Sequence, residues 1–296
     1  MTSTPSPTAS ATLSPTPAAT AFGSFSAQRL FLGADAAPIA VFEAFGSIWV
    51  ADIHANDVRR FEPTTMSELA RIPVPGAAWF VVADGALWVT SQTATGLSRI
   101  DPETNTVVAH VGDVPPCGAP VVAFDSIWQS ACDADVILRI DPVRNVVAET
   151  FPAKGHGFLV VADAKLLTLG RDGLARFDPE TGSFTPIDSA AAVGSQLLAS
   201  DGATVWVSTI VGMTRIDPAD GRTIATVPAP LAQAISFAGD HAWMTVTGQG
   251  VLEIDLTTNA VTRTIPGPLA PLVPIEADGA VWVTDFENSA LWRIEL

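Results

Sequence analysis

The sequence predicts an all-β protein, a seven-bladed β-propeller with four antiparallel strands per blade. Three observations predict it. A Trp recurs at Trp49, Trp88, Trp128, Trp206, Trp243 and Trp282, at intervals of 39, 40, 78, 37 and 39 residues, with Leu167 midway through the double interval. Seven copies of a unit of about 39 residues is propeller or solenoid spacing. Each unit also carries two turn signals, which a four-stranded antiparallel blade needs and a solenoid of parallel strands does not. No segment shows a helical period.

The chain opens on a tract that stands apart. Residues 2–21 are Thr, Ser, Pro and Ala except for Leu13. Such a composition cannot bury enough apolar surface to fold. Residues 1–25 are therefore expected to form a disordered stalk or linker, and residues 26–296 the propeller. Each unit then begins with an apolar run such as Val121-Val122-Ala123-Phe124. A tight turn follows. Asp84-Gly85, Asp201-Gly202 and Asp278-Gly279 are the two-residue hairpin signal, because both central residues want positive φ. The fourth unit has the poorer Asp163-Ala164. The Trp strand comes next, rich in Val and Thr, as strands are.

A third strand ends in Arg-Ile/Phe-Asp/Glu. The second turn starts at Asp101-Pro102, Asp141-Pro142, Asp178-Pro179 and Asp217-Pro218. Four residues after the acid sits Asn105, Asn145, Gly182, Gly221 or Asn259, each able to turn left-handed; Met66 departs from this in the first unit. A fourth strand closes the unit. The seventh unit stops at Arg293-Ile294-Glu295-Leu296, after its third strand. Arg29-Leu30-Phe31-Leu32 is free to supply the missing fourth. An N-terminal strand closing the last blade would zip the ring and remove two sheet edges.

Composition narrows the partners. The net charge of −16 repels phosphate backbones, so nucleic acid is not an expected partner, while cations and basic molecules are attracted. No run approaches the ~18 apolar residues of a membrane span, and no export signal is visible in this sequence. Cys117 and Cys132 flank the first two strands of the third unit. Out along one strand and back along the next brings them together, so a disulfide is expected, and with it an oxidising, extracytoplasmic compartment.

The repeats resemble the YVTN-type propeller repeat. Trp88-Val89-Thr90-Ser91 stands where that family has Tyr-Val-Thr-Asn, and Ile100-Asp101-Pro102-Glu103-Thr104-Asn105-Thr106-Val107-Val108 matches its Ile-Asp-x-x-Thr-x-x-Val run. Residues 27–296 are also similar in length and blade number to the virginiamycin B lyase (streptogramin lyase) superfamily. That resemblance implies a Mg²⁺-dependent lyase with a His in the loop leading into the last blade and a Glu-x-His just after that blade's Trp strand. Here the first position reads Ala270-Pro271-Leu272 and the second Asp285-Phe286-Glu287.

In a propeller the loops between strands two and three share a face with the loops between blades, and ring closure makes blades seven and one neighbours. Asp52, His54, Asp285 and Glu287 thus form a candidate oxygen-rich metal site for Mg²⁺ or Ca²⁺; solvated loop acids are the plainer alternative. Trp79, His156, Gln196 and Gln233 lead into blades two, four, five and six and are candidates to line the funnel and hold a small polar or aromatic ligand. The expectation is a monomeric binding or scaffold protein, possessing no membrane span but open to tethering through its N-terminal stalk, with a small molecule, protein or peptide as partner. The alternative is a metal-dependent lyase or hydrolase of the streptogramin lyase type with altered residues.

Overall fold

The computed structural model describes residues 18–22 and 25–296, with side chains from Phe25 onward. Most of the expected stalk lies outside the described residues. The remainder forms seven antiparallel sheets. Blade one runs Pro38–Ala44, Ser47–Asp52, Asp57–Phe61 and Glu68–Pro73, in that order across the sheet. Blades two to six repeat the pattern. The first strands of successive blades contact one another in a closed circuit from blade one through blade seven and back. They therefore surround the central channel, and each later strand lies further out.

The closing blade is built as expected from the two chain ends. Phe25–Phe31 pairs with Ala290–Glu295 in the register Ala27↔Ile294 to Phe31↔Ala290. Ala27 and Leu30 are buried in the seams on either side. The seam is pinned by the Leu32 amide donating to the Ser289 carbonyl at 2.8 Å and the Ser289 hydroxyl donating to the Ala36 carbonyl at 2.6 Å. One boundary differs from expectation. Ala18–Phe22 lies within the tract read as stalk, yet it pairs with Phe25–Phe31 as a fifth, outermost strand. The strand is held through its backbone to an edge already in place.

The core is divided into seven clusters, each between neighbouring blades. The six repeated Trp residues are fully buried in them. Each such ring buries roughly 150–250 Å², or about 4–6 kcal/mol of gross apolar transfer at ~25 cal/mol per Å². The recurring arginine explains itself against these rings. Arg60, Arg99, Arg139, Arg215 and Arg293 stand directly across from the Trp of the neighbouring strand. Their guanidinium carbons lie 4.8 to 5.8 Å from the Trp ring centroids, within cation–π range. Blade six has Glu253 at this position, and Arg263 one strand further out covers Trp243 instead, held by Glu253 at 2.8 Å. Blade four has Leu167, so Arg176 has no ring to cover, and its Nε is buried without a partner.

Two turns depart from the sequence reading. Asp201-Gly202 is not a two-residue turn: Ser200 pairs with Val205, leaving a four-residue loop. Asp201 organises it, accepting hydrogen bonds from the Ala203 and Thr204 amides, the Thr204 hydroxyl, the Trp206 indole and Arg215. Asp163-Ala164, the poorer signal, does form the two-residue turn, with φ of 49° and 54°. Met66 likewise takes the left-handed position at φ 57° and buries its side chain as it does so.

Candidate functional site

At the end where successive blades are joined, five first strands carry a β-bulge: between Pro38 and Ala40, Ala77 and Phe80, His156 and Phe158, Ala232 and Ala234, and Pro271 and Pro274. A bulge leaves a residue out of the ladder and re-aims its side chain. Trp79, Gln233 and Val273 are such residues, and all three line a cavity of about 540 Å³. Six blades contribute to it, from Trp79 in blade two to Val273 in blade seven, so it occupies the channel itself.

A hydroxyl two residues after the Trp braces the bulges. Thr90 Oγ1 accepts the Trp79 amide at 3.0 Å, and Thr284 Oγ1 accepts the Val273 amide at 3.2 Å. Thr245 donates to the Leu272 carbonyl of the next blade, and Ser130 donates to that of Gly157. The Thr of the Trp-Val-Thr repeat was the available signal for this brace.

The wall beneath blade three is held by the predicted disulfide. Cys117 and Cys132 are bonded, with Cα atoms 5.7 Å apart. Cys117 is further fixed by its amide donating to the Ser130 carbonyl at 2.8 Å and its carbonyl accepting Gln129 Nε2 at 3.1 Å. The next residue, Gly118, has φ +74°, and a Cβ there would lie 2.7 Å from the Phe158 ring. Gly118 therefore leaves room for the Phe158 ring to pack against the backbone of the channel wall. Phe158, Ile235 and Leu197 were not singled out by sequence; their apolar character is shared with core residues, and only the ring geometry turns them inward.

The other predicted residues fall into separate places. His156 does not line the channel. It borders a neighbouring cavity of about 490 Å³ with Cys132, Ser195 and a cluster of glycines. Burial lowers its pKa, against the opposing effect of Asp172. His54 and Glu287 both line, across the ring closure, a cavity of about 450 Å³ that includes Asp35 and Phe286. The two acids expected to join them are occupied elsewhere. Asp52 is fully buried and accepts the Ala37 and Ala55 amides at 2.9 Å, with Arg59 at 3.5 Å. Asp285 is also buried and accepts Asn288 Nδ2 at 2.8 Å and the Trp292 indole at 3.2 Å. Both carboxylates serve the ring seam. Among the described residues no group of three or more His, Cys, Asp or Glu is arranged to hold a metal ion. Nearby Asp57 has its pKa raised by burial, which outweighs the ion pairs with Arg59 and Arg71.

No family model and no curated protein matches the chain. Solved structures do. The computationally designed protein Ika8 is similar at TM-score 0.68 and 10% identity, over 89% of this chain and 98% of that one. Hydrazine synthase from Kuenenia stuttgartiensis is similar at 0.69 and 12%, over 86% and 95%. An extracellular domain from B. thetaiotaomicron is similar at 0.70 and 14%, over 88% of this chain and 41% of that one. At these identities the likeness is one of fold. No helix among the described residues is long and apolar enough to cross a membrane.

Proposed function

We propose that the protein is a binding module built from YVTN-type repeats, working outside the cytoplasm, which takes a small molecule into its central channel past Trp79, Gln196 and Gln233. The observation that carries this reading is the channel cavity of about 540 Å³, into which three bulged first strands turn their side chains. Small-molecule sites are concave, largely apolar and supplied with a few polar groups, and this cavity has that make-up. The Cys117–Cys132 bond supports an oxidising compartment, and one structural neighbour is an extracellular domain. A chemically diverse library screened by thermal shift tests the reading, with wild type and Ala234→Trp, which fills the channel, run side by side. Compounds that stabilise wild type and leave the filled variant unmoved are expected; a library that stabilises both equally, or neither, would overturn it.

A further inference from the structure

The side chains that border the channel define a ligand class more narrowly than its volume does. We infer that the ligand is an uncharged, planar molecule bearing a hydrogen-bond acceptor, held against Trp79 and Phe158; the inference rests on the channel reading above.

Charge comes first. The chain carries 31 acidic and 15 basic residues, yet no Asp, Glu, Lys, Arg or His lines this cavity. A charged ligand entering it would shed water and find no counter-ion, a costly exchange. An uncharged one would not.

The indoles come second. Seven of the eight tryptophans donate their N–H within the protein. Trp49, Trp88, Trp128 and Trp282 donate to backbone carbonyls, and Trp206, Trp243 and Trp292 to carboxylates. Trp79 is the exception: its indole N–H has no partner among the described residues, and it is the only Trp bordering the cavity. Trp79 is partly buried against the core between blades one and two. Buried and half-buried indoles ordinarily find an acceptor, so the group is left for one that arrives with the ligand.

Third, the surroundings favour a flat shape. Trp79 and Phe158 stand on blades two and four, with only Gly118 and Ala119 of blade three lining the cavity between them. Gln233 donates from Nε2 to the Leu231 carbonyl at 3.1 Å, which leaves its side-chain oxygen to accept. The Gln196 side-chain amide has no partner among the described residues. The site thus offers an aromatic surface, a fixed donor and two adaptable amides, which suits a neutral aromatic amide or a comparable heterocycle.

Three matched probes test this by calorimetry or ligand-observed NMR: 2-naphthamide, 2-naphthoate and naphthalene. The amide should bind most tightly. Trp79→Phe keeps a ring and removes the donor; it should weaken the amide by about two- to tenfold and leave naphthalene unchanged. Gln196→Ala, at an exposed position, should weaken the amide alone, and it stands in should the Trp79 variant fold poorly. The inference is overturned if naphthoate binds as well as naphthamide, if neither substitution separates the amide from naphthalene, or if none of the three binds. Library compounds of other chemistry that Ala234→Trp excludes would then leave the channel reading standing and this ligand class refuted.

Discussion

Phe45 and Phe124 sit in the first turns of blades one and three at φ 53° and 51°, with 39% and 48% of their surface exposed. The left-handed region costs an L-residue roughly 1–2 kcal/mol, while Asn tolerates it. Phe45→Asn and Phe124→Asn are each expected to raise the urea midpoint, by about 0.5–1 kcal/mol in stability; an unchanged or lower midpoint would show that the rings repay the strain. His241 provides a pH-dependent contact. Burial on its own would lower its pKa, but hydrogen bonds to Glu276 at 2.6 Å and Asp240 at 3.2 Å outweigh it and raise the value. Burial would raise the pKa of Glu276, and its bonds to Trp243 and His241 lower it instead. The His241 contribution is complete below its unfolded pKa, near 6.5, and fades as pH rises through the raised folded value. The Glu276 contribution is complete above about 4.5 and fades as pH falls through the depressed one. The pair is thus strongest between about pH 4.5 and 6.5. His241→Asn should flatten the decline in stability as pH rises above about 6.5; an equal slope in both proteins would exclude this contact as its source. At this scale the sequence disclosed the Trp positions but not their cationic covers in blade six, where Glu253 and Arg263 exchange roles across a strand. Nor did it distinguish Asp52 and Asp285 from solvated loop acids, because their burial depends on two blades meeting.

Two strands and a disulfide form the wall on which Phe158 rests. The bridged residues are 15 apart in sequence, and in the loop-entropy account closing such a loop contributes about 3 kcal/mol. Replacing both Cys117 and Cys132 by Ser should cost a comparable amount in denaturant unfolding, and should also weaken whatever ligand the channel takes, since Gly118 is freed to move. Unchanged stability, or stability lost with affinity intact, would separate the bridge from the wall. Mass spectrometry with and without reductant reads the bond directly. Paired strands and most turns were legible, because left-handed Asn, Asp and Gly report local backbone need. Asp201-Gly202 misled because its carboxylate recruits Trp206 and Arg215 and so favours a wider loop, a tertiary preference stronger than the dipeptide's own. The bulges that aim Trp79, Gln233 and Val273 had no dipeptide signature, although the bracing Thr90 and Thr284 lay within the repeat.

For the whole ring, the count of seven and the borrowed strand were both readable, since a fixed period and an incomplete last unit leave little choice. What lay beyond the sequence was the extra edge strand, Ala18–Phe22, whose composition resembles a linker. Removing residues 1–24 takes away that edge strand and should leave the melting temperature nearly unchanged. Removing residues 1–32 also strips Leu30 and Leu32 from a buried cluster and opens the ring, and should lower it by several degrees; equal melting of the two truncations would contradict closure by Phe25–Phe31. The strand directions at this seam have a mechanical consequence. Tension applied at Ala18 meets the pair Ala18↔Arg29 first, then each following pair in turn to Phe22↔Phe25, and next attacks Ala27↔Ile294. Load from the amino-terminal side is therefore resisted one rung at a time, as in unzipping, rather than by all rungs sharing the shear. A molecule pulled from that side should yield at low force in two successive steps, the second exposing the greasy seam between blades seven and one.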